Sequence, residues 1–345
     1  MVKFICPKCL NPLIEQQENL VCEGCSAKYP IKDGIPFFTS GEYYFPDISE
    51  ADMDELLAIS EQQGWRVGLH DFLRDKDPSA YKIVGDESRA DWKFIFPLCQ
   101  DSVVLDFGCG FGGLSVALSR LAGEVIAMDC SLKRLKFLNI RKKQDNMSNI
   151  IPVCGGDAMR LPFTDKYFDL IVLNGVLEWL GIFHVESDPR QVQLAKLKDL
   201  YRLLKDNGSI YIGIENRFSY LSFLGARDHS GLRFTSLLPR RIADLYCKAI
   251  KGERYRTYTY SLFGYKKLLN EAGFSRVSIY ATIPTYRDVY FLFDINDKMM
   301  MDYFLKYLFN YTTIKRKIAV LLARIFSKIG LLRLFIPEYG IVATR

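Results

Sequence analysis

Short apolar runs recur through the middle of the chain, each ending in a glycine or an acid and followed by a stretch with helical spacing. Residues 103–107, 125–129, 150–154, 168–173 and 209–214 read as strands. Their near-continuous apolar character is what a sheet covered on both faces needs. Helices are predicted from Ser131 to about Lys143 and over 190–204. The second of these feeds the fifth strand through Asp206-Asn207-Gly208. Strands alternating with helices predict an α/β fold, a Rossmann-like doubly wound sheet with helices on both faces and its site at the strand C-termini. Upstream, residues 47–63 are helix-prone with Asp47 or Ser49 as cap, and a second helical stretch falls near 86–98. Downstream, 277–281 predicts a sixth strand and 339–344 an antiparallel seventh. Residues 297–336 then form a helical insertion between them.

Composition agrees with a folded globular chain. The 345 residues are 49% hydrophobic and 25% charged, which excludes intrinsic disorder and low-complexity fibres and allows one large domain or two to three smaller ones. No apolar run approaches the roughly 18 residues of a membrane span. The first residues, MVKFICPKCL, lack the apolar core of a signal peptide. Of nine cysteines, four fall in the first 25 residues, a spacing that predicts metal ligation in a reducing compartment and hence the cytoplasm.

The net charge of +6 is local. Residues 311–335 hold Lys315, Arg316, Lys317, Arg324, Lys328 and Arg333 with no acid, and 233–256 hold seven Lys/Arg against Asp244 and Glu253. A duplex-binding protein spreads basic charge along a whole face, so this distribution favours a phosphate-bearing ligand or a membrane surface over nucleic acid. Between 311 and 335, Ile314, Ile318, Leu321, Leu322, Ile325 and Ile329 keep helical spacing with Lys/Arg opposite. This is the pattern of an interfacial helix giving peripheral contact at the inner face of a membrane. It is equally that of a helix packed on the domain or on a dimer partner.

Cys6-Pro7-Lys8-Cys9 and Cys22-Glu23-Gly24-Cys25 form two C-x2-C knuckles twelve residues apart. They present four thiolates to one tetrahedral zinc, and with every position filled by cysteine the metal is expected to be structural. The strand, Asp33-Gly34 turn and extended chain that follow complete a zinc ribbon. Over residues 3–39 it resembles the small zinc-ribbon proteins that bind and activate methyltransferases.

The strongest chemical signal is Asp106-Phe107-Gly108-Cys109-Gly110-Phe111-Gly112, a glycine-rich turn between a strand and a helix. Its spacing differs from the Gly-x-Gly-x-x-Gly of dinucleotide sites. Asp106 would repel a pyrophosphate but can organise an ammonium group. Asp129 ends the second strand about 20 residues on, where an acid accepts from ribose hydroxyls. Asp157 follows the third strand, placed to accept from an adenine amino group, and Asn174 ends the fourth. Over 101–215 this series resembles the class I S-adenosylmethionine (SAM) dependent methyltransferases. The resemblance implies that Asp106, Gly108 and Gly110 surround the methionine part of SAM, that Asp129 holds the ribose and Asp157 with Ala158 the adenine, and that Asn174 lies near the methyl group.

Asn174-Gly175-Val176-Leu177-Glu178-Trp179 lacks the prolines and aromatic of amino-directed base methyltransferases. It looks more like small-molecule methyltransferases, which often carry histidine where Trp179 stands. Base candidates are therefore sought elsewhere: His229 beside Asp228 in a glycine-flanked loop, His184 after the fourth strand, and Glu215 at the end of the fifth. The tyrosine- and threonine-rich stretch 255–261 suits a sugar, or equally a packed core segment. Ile214-Glu215-Asn216-Arg217, Asp228-His229-Ser230-Gly231 and 264–274 resemble bacterial methyltransferases of surface-polysaccharide and natural-product glycosylation pathways.

The expected organisation is a zinc ribbon over 1–40, a helical linker and lid segment over 41–100, and a methyltransferase domain over 101–345. That domain carries an acceptor-site insert at 216–275 and a helical insert at 297–336. The expected activity is O-methylation of a sugar or glycosylated small molecule, with SAM as cofactor. Two alternatives are an RNA methyltransferase that holds RNA with its ribbon, and a non-catalytic SAM-binding partner subunit. Oligomeric state is not legible in the sequence.

Overall fold

A computed structural model describes residues 3–44, 48–308 and 314–345. The candidate cap Asp47 and residues 311–313 of the basic segment lie outside them. The chain divides into two compact units: Met1–Asn174 with Ala195–Ile210 and Arg345, and Gly175–Leu194 with Tyr211–Thr344.

The first unit begins with an antiparallel four-stranded ribbon in the order β1 (Leu13–Gln16), β2 (Asn19–Cys22), β3 (Lys28–Lys32), β4 (Ile35–Pro36). It is joined to the main sheet by backbone. Phe37 makes a parallel bridge to Cys154, Phe38 N donates to the Cys154 carbonyl at 2.7 Å, and Ile5 N donates to Pro162 O at 3.0 Å. The main strands of this unit are β5 (Val103–Phe107), β6 (Glu124–Asp129), β7 (Ile150–Cys154) and β8 (Phe168–Asn174). All are parallel, in the order β8-β5-β6-β7. Burial explains their composition: Val104, Leu105, Val125, Ile126, Ile171 and Val172 are fully enclosed. Helices Gly113–Ser119 and Leu132–Gln144 pack on these strands. Phe137 is buried and meets the Phe111 ring edge-on at 5.9 Å.

Strand β9 (Leu204–Glu215) carries the chain from the first unit into the second. Its start differs from the expected loop at Asp206–Gly208. Asn207 does take a left-handed backbone (φ 66°), but strand pairing runs through it and Gly208 O accepts from Arg345 N. In the second unit, β10 (Arg276–Pro284) pairs antiparallel with β12 (Glu338–Thr344) on one side and with β11 (Val289–Asp294) on the other. The sheet of the protein is therefore mixed, and β12 is the antiparallel seventh strand of the expected series. The sequence reading missed β11, although Val289-Tyr290-Phe291-Leu292-Phe293 is rich in strand formers. Between β11 and β12 the described elements are helical: Lys298–Tyr303, Phe304–Leu308, Ile314–Lys328 and Leu332–Leu334.

Upstream, helix Glu50–Gln63 starts at Ser49, whose Oγ accepts from Asp52 N. The stretch near 86–98 is a 3-10 helix, Glu87–Ile95, kinked at Ala90, rather than a regular α-helix. Its enclosed residues are Arg89, Ala90, Trp92 and Lys93. Phe137→Ala should empty a ring-sized space between helix Leu132–Gln144 and the upstream helical segment, where Met53, Leu56, Trp65 and Leu69 cluster with it, and cost about 3–5 kcal/mol, read as a lower urea midpoint with an unchanged slope.

Candidate functional site

The chemistry-bearing residues fall into three groups. At the N-terminus, the Sγ atoms of Cys6, Cys9, Cys22 and Cys25 all lie within 4.8 Å of one another, with Cys6–Cys25 at 3.6 Å and Cys9–Cys22 at 3.3 Å. A tetrahedral zinc with ~2.3 Å Zn–S bonds separates its sulfurs by about 3.8 Å, so the donor set and its spacing fit that metal. Asn11 Nδ2 donates to Cys9 Sγ and the Tyr29 hydroxyl lies 3.5 Å from Cys6 Sγ, contacts that favour thiolates.

The second group lines the C-terminal ends of β5–β8. Gly108 and Gly110 both take positive φ (78° and 57°), and the space where a Gly110 Cβ would stand is open for 4 Å. Gly110 N donates to Asp129 Oδ2 at 2.9 Å and Ser131 N to Asp129 Oδ1 at 2.8 Å. The carboxylate thereby ties the glycine turn to the end of β6. It also does the work expected of Ser131, which stands at the helix start but makes no side-chain cap. Asp106 is fully buried, and burial lifts its pKa to about 6 although Ser115 Oγ donates to it at 2.6 Å.

Asp157 receives donors from the segment leaving the ribbon. Ser40 N and Oγ lie 2.9 and 2.7 Å from Oδ2, and the Tyr43 hydroxyl lies 3.3 Å away. The Ala158 carbonyl accepts from Lys196 Nζ, an enclosed ammonium whose pKa burial pushes down to about 8. No sequence signal singled out Lys196, because its helical position reads as an ordinary basic residue. At the end of β8, Asn174 Nδ2 and Oδ1 are sealed from solvent with no hydrogen-bond partner among the described residues. An amide held this way is suited to a ligand.

The third group lies in the second unit. His229 Nε2 is 3.1 Å from Glu215 Oε2 and 3.7 Å from Glu178 Oε1, and the His229 ring stands edge-on to Trp179 with centroids 4.8 Å apart. An imidazole from another loop thus lies against the indole of Trp179. The Tyr286 hydroxyl donates to Glu215 Oε1 at 3.0 Å, and Arg287 Nη2 lies 3.8 Å from the same oxygen.

Glu178 is completely enclosed, and both its oxygens lack a hydrogen-bond partner among the described residues. Burial, followed by the charge of Glu215, raises its pKa to about 8. Burial opposes ionisation of His229 and Glu215 too. Their mutual attraction outweighs it, so the histidine pKa is raised and the glutamate pKa lowered. Two carboxylates and an imidazole within 4.8 Å are also a cation's donor set. Here, however, Arg287 and the Tyr286 hydroxyl already serve Glu215.

Of the predicted base candidates, His229 and Glu215 come together. Asp228 does not orient His229: its Oδ1 accepts from Ser230 N and Oγ, closing its own turn. Glu215, from another strand, occupies the role that sequence adjacency suggested for Asp228. His184 lends its backbone carbonyl to Arg256. The 255–261 stretch takes the packing alternative, since Tyr255, Tyr258 and Tyr260 are buried around Arg240, whose guanidinium sits 4.1 Å from the Tyr258 ring centre. Glu178, Tyr286 and Arg287 were missed, although a glutamate inside the apolar run 176–180 was a signal.

A family profile described as a methyltransferase domain matches residues 105–212. The demethylmenaquinone methyltransferase of Lactobacillus johnsonii is 30% identical over 188 residues, covering 54% of this chain and 62% of the relative. That of Staphylococcus saprophyticus is 31% identical over 187 residues, covering 52% of this chain and 72% of the relative. The chain thus spans less than two thirds of the first of these proteins. Among solved structures, phosphoethanolamine N-methyltransferase 2 of Haemonchus contortus with SAM is 15% identical. It covers 87% of this chain and 61% of that one at a TM-score of 0.45.

The Glu178 carboxyl fixes a sign for stability against pH. Its folded pKa of about 8 lies above the unfolded value near 4.5, so the folded state holds the proton longer. This contribution weakens folding as pH rises from about 4.5 to about 8 and is constant beyond. Glu178→Gln should flatten that decline, measured as melting temperature against pH; an unchanged profile would remove the raised pKa.

Proposed function

The chain belongs to the class I SAM-dependent methyltransferases, and on that premise we propose that it methylates an acceptor whose proton is taken by His229. SAM supplies an electrophilic methyl group on a sulfonium. In this reading Asp129 holds the ribose, Asp157 and Ala158 the adenine, Asp106, Gly108 and Gly110 the methionine part, and Asn174 the reacting end. Binding these parts separately supports rate through alignment, since a fixed near-attack geometry lowers the barrier without any covalent step on the protein.

The observation that carries the proton step is the enclosed His229–Glu215–Glu178 cluster. His229 takes the acceptor proton on Nδ1, because Nε2 is sealed from solvent and turned to Glu215 Oε2 at 3.1 Å, and Glu215 stabilises the imidazolium through that Nε2. Tyr286 and Arg287 keep the Glu215 carboxylate oriented. Glu178, neutral below about pH 8, avoids a second anion in the cluster. Such a base suits an acceptor O–H, and we place the substrate among hydroxylated small molecules, with sugars and glycosylated metabolites the first to test. A second reading rests on the relatives, which are named for demethylmenaquinone. Deprotonating a reduced quinone makes its ring carbon nucleophilic, so the same base would serve C-methylation.

Calorimetry with SAM and its demethylated product, followed by methyl transfer to glycosides, reduced naphthoquinones and RNA, tests these readings. Asp129→Ala should weaken cofactor binding tenfold or more, about 1.4 kcal/mol. His229→Gln should lower kcat by roughly 10²–10⁴ while leaving cofactor affinity intact. Absence of cofactor binding by folded protein would overturn the proposal.

The four cysteines are read as a structural zinc site. The ribbon delivers Ser40 and Tyr43 to Asp157, so metal removal should act at a distance. Chelation is expected to release one zinc per chain and weaken cofactor binding several-fold. Ser40→Ala should reproduce part of that loss with zinc retained, as measured by metal analysis beside calorimetry.

A further inference from the structure

From Val320 on, helix Ile314–Lys328 turns its larger apolar side chains outward. Among its described side chains, Val320 and Ser327 are the buried ones, each 7% exposed, and they lie seven residues apart on one face. Leu321, Leu322, Ile325 and, just past the helix end, Ile329 are 50–63% exposed. Leu321, Ile325 and Ile329 form one stripe at a spacing of four. An ordinary packed helix does the reverse.

The apolar surface continues beyond this helix. Phe326 meets Phe335 with ring centroids 6.0 Å apart, and Phe335 meets Phe223 at 5.9 Å. Beside Phe223, Leu224 is 78% exposed. Helix Arg240–Lys251, in the same unit, repeats the pattern: it buries the small Ala243 and Cys247 and exposes Ile242, Leu245 and Ile250.

The charge carried by these segments is net positive, with Arg324 paired to Asp302 at 3.2 Å. Residues 311–335 carry six Lys/Arg and no acid, and 233–256 carry seven against two acids. Of these, Arg233, Arg241, Lys248, Lys251, Arg254 and Lys328 are exposed, as is the acid Glu253. A second copy of the chain would meet this surface with the same surface in a twofold contact, bringing like charges together. An anionic lipid surface offers both an apolar interior for the leucines and isoleucines and phosphate for the cations.

We propose that helices Ile314–Lys328 and Arg240–Lys251, with the 220–224 turn, dock this protein on an anionic bilayer. No helix among the described residues is long and apolar enough to cross one, so the contact is interfacial. The proposal is independent of the reaction assigned above.

Co-sedimentation of the full zinc-loaded chain with vesicles tests it. Vesicles containing phosphatidylglycerol should retain the protein, pure phosphatidylcholine should retain far less, and salt should release part of it. Leu321→Glu/Ile325→Glu/Ile329→Glu should lower partitioning tenfold or more with cofactor affinity unchanged, which also reports that the variant is folded. Lys248→Glu/Lys328→Glu, which alters exposed positions only, should lower the salt-sensitive part several-fold. Failure of anionic vesicles to retain the wild type would overturn the proposal, as would retention unaltered in both variants. So would a lipid-free dimer that the triple variant converts to monomer without any vesicle binding, since a second copy would then be the occupant.

Discussion

A carboxylate enclosed at the end of a strand must find donors, and this requirement organises the parallel half of the protein. Asp129 answers it with the N–H groups of Gly110 and Ser131, so the glycine turn, the end of β6 and the start of the following helix are set by one side chain. Asp106 uses Ser115. Asp157 uses Ser40 and Tyr43, which come from the far end of the chain's first unit in sequence. The ribbon is therefore part of the same construction. Its backbone continues onto Cys154, and its exit segment supplies donors that the third acid needs.

The second unit solves a related problem differently. Glu178, Glu215 and His229 are enclosed together, and burial alone would neutralise all three. His229 and Glu215 remain inclined to their charged forms by attracting each other, while Glu178 is left favouring its protonated form. Arg287 and Tyr286 tie the glutamate in place. The outcome is a cluster whose protonation changes near neutral pH, a property of general acid–base groups.

Much of this was legible in the chain. The buried strands announced themselves because a sheet covered on both faces tolerates only apolar runs. The four cysteines and the strand-end acids announced themselves because their spacing along the chain is short and their chemistry is local. The knuckles 6–9 and 22–25 and the turn 106–112 are each one short segment, so sequence spacing and spatial spacing nearly coincide. Strand β11 escaped, since it depends on what covers it and not on its own periodicity, and of the stretch near 86–98 the helical character was legible but the 3-10 form and the kink were not.

The acid–base cluster marks the boundary. Sequence adjacency paired His229 with Asp228, but in space Asp228 closes its own turn on Ser230, and residues 14 and 51 positions away from His229 in the chain face the ring. Likewise, the amphipathic spacing of 314–329 was readable, but its direction was not, because a helical stripe has no inside or outside until neighbours take one face. The sequence by itself determined the succession of strands and helices, the cysteine cluster and the acids that end the strands, all short-range features. The tertiary structure decided which distant carboxylate meets which imidazole, and which face of a helix is left to the solvent, because burial and pairing are properties of the folded surroundings and not of the local chain.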